Sequence, residues 1–211
     1  YRQSAEDNSL FEGKFPGEKT SAFPHDLKEG NPLEVLRSTP YGNQLTKEFA
    51  LQAIDSEKLG QNGNTDFLAI SFSSTDYVGH NFGPQSIELE DTYLRLDKDI
   101  AEILTYLDVQ YGKDQVLVFL TADHAVAEVP GYANSKKLPG GVFDRNASIS
   151  DMKKAINQAF GNVDLLVGEE NSQLYFNHSL MTKMGIDSKK LFDVVRKSYQ
   201  KQEGFSELVD L

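Results

Sequence analysis

With 211 residues, 39% of them apolar and 25% charged, the chain has the make-up of a globular protein and the length to bury roughly 70% of its unfolded surface. No stretch approaches the ~20 consecutive apolar residues of a membrane helix, and a net charge of −11 with no basic run longer than Lys136-Lys137, Lys153-Lys154 or Lys189-Lys190 argues against a phosphate-neutralising grip on nucleic acid. Cysteine is absent, which removes disulfides, thiolate metal ligands and cysteine nucleophiles. An anion handled by such a chain must be attracted locally, by a metal ion, helix N-termini or a few buried cations.

Residues 1–40 hold four of the seven prolines (Pro16, Pro24, Pro32, Pro40) with Gly13, Gly17 and Gly30, and read as a loop-rich arm. Thr39-Pro40 has the form of an N-cap followed by proline at the first helical position; Leu45, Phe49, Ala53 and Ile54 continue one apolar face until Gly60. Asp66 to Phe72, nearly continuously apolar at its centre, is predicted as a strand covered on both faces. A long helix is predicted from Pro84, with a stripe through Leu89, Tyr93, Leu96, Ile100, Ile103 and Leu107 and a stop near Gly112. Val116 to Leu120 is predicted as a second buried strand, completing a βαβ unit.

After a loop rich in Pro and Gly (Pro130 to Gly141), a smaller α+β portion is expected. A helix over 151–160 is predicted with Ser148 or Ser150 as its cap, then strands at Val163–Val167 and Leu174–Phe176 joined through Gly168 to Asn171, then a helix capped by Asp187 that carries Leu191, Val194, Val195 and Tyr199. The expected organisation is an arm over 1–40, a βαβ core over 41–147 and an α+β portion over 148–211. A start at Tyr1 without an initiator Met and a stop in mid-pattern at Val209-Asp210-Leu211 suggest an internal fragment.

In open α/β sheets ligands bind beyond the carboxyl ends of the strands, so the segments after the two expected strands are where chemistry is sought. The first runs Ser73-Ser74-Thr75-Asp76-Tyr77-Val78-Gly79-His80-Asn81-Phe82-Gly83-Pro84, the second Thr121-Ala122-Asp123-His124. Each offers one carboxylate and one imidazole, donors suited to a divalent ion such as zinc. Asp76 and His80 are four residues apart in what is expected to be a tight loop eased by Gly79 and Gly83. Either motif alone is weak, since an Asp after a strand is commonly a turn former or cap; at matching ends of two strands of one unit they are far more specific. His25 and His178 are read as surface residues, and the hydroxyls of Ser73, Ser74, Thr75 and Thr121 as partners of the turning backbone.

The string Ser74-Thr75-Asp76-Tyr77-Val78-Gly79-His80-Asn81-Phe82-Gly83-Pro84, the helix through Glu90-Asp91-Thr92-Tyr93-Leu94-Arg95-Leu96-Asp97 and the segment Leu120-Thr121-Ala122-Asp123-His124 resemble the alkaline phosphatase superfamily. Within it they resemble the type I phosphodiesterase/nucleotide pyrophosphatase group, and most of all its secreted bacterial monoesterases with a threonine nucleophile. The likeness is dense over residues 40–132. It implies an α/β chain, part of an alkaline-phosphatase-like three-layer α/β/α sandwich, and two zinc ions, with Asp76 and His80 as two ligands of the first and Asp123 and His124 as two ligands of the second. It also implies that the nucleophilic Thr, the remaining ligands and the phosphate-contacting side chains lie outside this chain, that the substrate is a small phosphate ester, and that the location is periplasmic or secreted.

The family often has Gly after Asp-His, where this chain has Ala125. The glycosylation-type spacings at Asn146-Ala147-Ser148 and Asn177-His178-Ser179 carry no weight in a bacterial protein. The neighbouring reading is phosphodiester hydrolysis on the same ligands, although the Ser-Thr-Asp-Tyr string favours the monoesterase. A reading of a different class is a non-catalytic α/β module in which the four residues serve as caps and hydrogen-bond partners.

Overall fold

The structure, a computed structural model, describes Asp7 and residues 9–210; residues 1–6 and Asn8 of the expected arm, and the terminal Leu211, lie outside the described residues. The chain divides into two compact units, residues 1–137 and 138–211, so the boundary expected after residue 147 falls inside the second unit.

In the first unit Asn31 starts α1 (Pro32–Arg37), its side chain accepting from the Leu33 N–H, with Pro32 where a missing N–H costs nothing. Then follow α2 (Pro40–Ser56), α3 (Ser74–Phe82), α4 (Ile87–Tyr111) and α5 (Pro130–Ser135). The long helix begins at Ile87, three residues beyond the expected Pro84, because the Ser86 hydroxyl accepts from the Leu89 N–H and Gly83, at φ 88°, turns the chain before it. Gly112 ends it, as expected, at φ 93°. The core joins Val78 and Phe82 of α3, Leu89 of α4, Val35 of α1 and Phe15. The loop-rich arm therefore contributes to the core of this unit.

The segment after the first expected strand is a helix, α3, where a tight loop was expected. The buried face of α2 also differs from the apolar one. Asn43, Lys47, Ala50 and Ile54 are buried, whereas Leu45 is exposed and Phe49 is 76% exposed. The reason is that α2 lies against α3 and α4, where its polar groups find partners: Asn43 bonds α3 and Lys47 pairs with acids of α4. A polar face satisfied in this way can be buried at little cost.

The two expected strands are likewise corrected. Asp66–Phe72 and Val116–Leu120 belong to no ladder, and the one sheet among the described residues is in the second unit. Nor are they buried: Phe67, Phe119 and Leu120 are exposed and Leu117 is 90% exposed. An apolar run becomes a buried strand only when flanking strands take its hydrogen bonds and layers cover both faces, and these two segments do not pair with each other.

In the second unit α6 (Arg145–Phe160) starts earlier than expected, because the Asp144 carboxylate reaches the Ala147 N–H at 2.9 Å and caps it. Ser148, a cap candidate, lies within the helix and donates to the Asp144 carbonyl. The strands β1 (Leu166–Glu170) and β2 (Gln173–Phe176) are antiparallel. Their turn is Asn171-Ser172, at φ 48° and 62°, the two-residue geometry that suits a twisted hairpin. Gly168, expected in the turn, lies in β1 where the register shifts, a place that tolerates glycine well. Asn177 caps α7 (His178–Met184), which leaves His178 exposed. Asp187 caps α8 (Ser188–Tyr199), accepting from the Lys190 N–H at 2.9 Å, as expected. Met152 and Ile156 of α6, Leu165, Met181, and Leu191, Val195 and Tyr199 of α8 form the core. No helix among the described residues is long and apolar enough to cross a membrane.

Candidate metal centre

Asp76 and His80 sit one turn apart on α3, so a helix rather than a loop brings them to one face. Their facing atoms, Asp76 Oδ2 and His80 Nε2, are 3.5 Å apart. The buried side of α3 carries Val78, Gly79 and Phe82, and Gly79 faces Leu89. Both candidate ligands remain accessible to solvent.

Asp123 and His124 come from a segment with no regular structure. His124 Nε2 lies 3.9 Å from Asp76 Oδ1 and 3.6 Å from Asp123 Oδ2, so the structure brings the two motifs together around Asp76 and His124. The His124 N–H donates to Asp123 Oδ1 at 3.0 Å, which holds that carboxylate against its neighbour's backbone. The other ring nitrogen, Nδ1, is 2.9 Å from the Ala125 carbonyl oxygen. An acceptor there favours the proton on Nδ1 and leaves Nε2 directed towards the carboxylates, the orientation typical of a metal-binding imidazole. The Ala125 carbonyl, followed by the Asp123 and Asp76 carboxylates, raises the pKa of His124 above the ordinary histidine value. Because Ala125 acts through its backbone, its replacement of the usual glycine leaves this contact intact.

The donor types, two carboxylates and two imidazoles, fit zinc. Among the described residues no three His, Asp or Glu side chains are grouped so that one ion could be held by all of them, so the fit is that of two incomplete pairs.

Of the hydroxyls near these motifs, that of Thr121 bonds the backbone as expected, whereas those of Ser73 and Thr75 bond side chains. Thr121 Oγ1 donates to the Ala122 carbonyl and Ser71 shares a bond with Ser73. Thr75 Oγ1 accepts from the Asn43 side-chain amide at 3.0 Å, while Asn43 Oδ1 accepts from the Ser74 N–H at 3.2 Å. Arg37 stacks over the Tyr77 ring with its guanidinium carbon 4.4 Å from the centroid.

His25 is not the surface residue the sequence suggests. Its ring is buried, with Nδ1 3.1 Å from Glu18 and Nε2 3.0 Å from Glu88, among the rings of Phe15, Phe23 and Phe82. No local signal announces this, because Glu88 is 63 residues away. The cluster ties the arm to the start of α4.

A family model described as type I phosphodiesterase / nucleotide pyrophosphatase matches residues 10–203. The chain belongs to this family. It is 56% identical to alkaline phosphatase PhoV of Synechococcus elongatus over 67% of this chain and 26% of that protein. It is 43% identical to alkaline phosphatase PafA of Elizabethkingia meningoseptica over 93% of this chain and 36% of that one. A Myroides odoratus protein named as a calcium-transporting ATPase is 42% identical over the whole of this chain and 39% of its own length. The crystal structure of wild-type alkaline phosphatase PafA superimposes with a TM-score of 0.85 at 39% identity, covering 95% of this chain and 38% of that one. The chain thus has the fold of part of an α/β phosphatase and spans well under half the length of these relatives.

Proposed function

We propose that this chain supplies four metal ligands, two for each of two ions, to a zinc-dependent phosphatase that hydrolyses phosphate monoesters through a covalent phosphothreonine, with the nucleophilic threonine outside the chain. The observation that carries the reading is the approach of His124 to Asp76 at 3.9 Å, across 48 residues of sequence, with His80 and Asp123 each beside one of them. Asp76 and His80 would hold one zinc, Asp123 and His124 the other. A zinc pair bound there supplies Lewis-acid stabilisation of the phosphoryl group and a nucleophile of lowered pKa.

The chain's own part is to hold and orient. The Ala125 carbonyl keeps the Nδ1 proton of His124 and so frees Nε2; α3 presents Asp76 and His80 from a rigid support. An acidic chain of net charge −11 needs a local cation to attract a phosphate ester, and two divalent ions meet that need. The alkaline phosphatase names of PhoV and PafA support the monoesterase, and a periplasmic or secreted location is proposed with it.

The test uses the parent protein with p-nitrophenyl phosphate and bis-p-nitrophenyl phosphate. The monoester should be preferred, and turnover should fall on chelation and return with zinc. Asp123→Ala should lower turnover on the order of 10³-fold, as loss of a positioned transition-state stabiliser does. Wild-type turnover in that variant would overturn the site assignment, and preference for the diester would move the protein to the diesterase reading.

A further inference from the structure

The N-terminus of α3 lacks a cap of its own. Ser73, at its N-cap position, makes no side-chain cap bond, and the first N–H groups of a helix have no partner within it. One of them, on Ser74, donates instead to Asn43 Oδ1. The amide nitrogen of the same Asn43 donates to Thr75 Oγ1, next to Asp76. Asn43 is only 1% exposed; its bond from the Ser74 N–H is buried, where a lost partner is costly to replace, and its bond to Thr75 is partly buried. The residue before it is fitted to the same contact: a Cβ on Gly42 would lie 2.1 Å from Ser74 Oγ and 3.1 Å from the Leu36 carbonyl oxygen. Gly42 lets α2 approach α3 closely, and Asn43 bonds what that approach brings near.

We infer that Asn43, with Gly42, is a positioning residue for the metal centre: it caps α3 from another helix and thereby fixes where Asp76 and His80 point. The inference rests on the proposed role of those two residues as zinc ligands. Its physical basis is that a rotation or slide of α3 carries Asp76 and His80 with it, because both project from this one nine-residue helix. Val78 and Phe82, packed in the core, hold the buried side of α3. Apolar packing is not directional, whereas two hydrogen bonds at the first turn define its angle and height. Groups that orient metal ligands in this way typically account for ~10–100-fold in metal affinity.

The experiment measures zinc content and zinc affinity, by competition with a chromophoric chelator, in the parent protein and its Asn43→Ala, Asn43→Asp, Gly42→Ala and Asp76→Ala variants. Amide hydrogen exchange is followed over residues 74–80 and over α4 as a reference. Asn43→Ala should weaken zinc about 10–100-fold and speed exchange over 74–80 while α4 keeps its protection. Asn43→Asp keeps an acceptor for the Ser74 N–H, and Thr75 can donate to its second oxygen, so it should restore most of the affinity. If Asn43→Ala does not fold, Gly42→Ala carries the same test, with Ser74→Ala as its relief. Unchanged zinc affinity and exchange in Asn43→Ala, with zinc lost in Asp76→Ala, would overturn the positioning role and leave the metal site standing. Zinc retained in Asp76→Ala would overturn the metal reading and this inference with it.

Discussion

Replacing Lys47 by Met removes a charge while leaving most of the stem's packing. Lys47 is buried on α2, and its ammonium bonds Asp99 Oδ1 of α4 at 2.8 Å and Glu102 as well. The two acids do not count equally. The side chain of Glu102 is 63% exposed, so solvent screens it and its share is small. That of Asp99 is 11% exposed and would be left as a buried carboxylate without its cation. Removing one partner of a buried pair costs about 3–5 kcal/mol, and the residual water access of Asp99 argues for the lower end.

Urea unfolding of the parent protein, followed by circular dichroism at 222 nm, should show that loss in Lys47→Met. Adding Asp99→Leu should recover most of it, since the unpaired charge is then gone. The pH dependence has a definite sign. Hydrogen bonds to Asp99 and Glu102 hold the Lys47 pKa above its ordinary value, so its stabilisation is complete below the unfolded-lysine value of about 10.4 and fades as pH rises through the higher folded one. The gap between wild type and Lys47→Met should therefore be flat from about pH 7 to 9 and narrow above pH 10.4. A loss under about 1 kcal/mol, the range of exposed pairs, or a double variant as unstable as the single one, would refute the reasoning.

Burial holds the Glu88 carboxyl above the usual range despite its bond to His25, so folding favours the protonated form and ionisation costs stability as pH rises through the raised pKa. In thermal melts Glu88→Gln should gain on wild type from pH 4.5 to pH 8; an equal difference at both would contradict this. Asp187→Ala, which removes the α8 cap, should cost about 1 kcal/mol and leave the proposed turnover of p-nitrophenyl phosphate by the parent intact, measured by urea titration beside the assay. The 211-residue chain alone, with two proposed ligands for each proposed ion, should bind zinc only weakly by calorimetry at neutral pH, because catalytic zinc keeps three or more protein ligands. Submicromolar binding abolished by His80→Ala would show that a further ligand lies within the chain.

Local chemistry determines much of this protein from its sequence alone. Proline after Thr39, glycine at position 112 and aspartate at 187 mark helix ends because capping and backbone freedom act over a few residues. The four candidate ligands stand out because two short motifs, each weak alone, occur together in segments that resemble one family. Tertiary structure decided the rest. Which face of α2 is buried depends on whether Asn43 and Lys47 meet partners on α3 and α4, and hydrophobicity alone points to Leu45 and Phe49 instead. The arrangement of Glu18, His25 and Glu88 needs residues up to 70 positions apart to converge. Likewise the apolar runs at 66–72 and 116–120 carry the composition of strands, but a strand is a relation between backbones, and among the described residues neither finds the neighbour that would make it one.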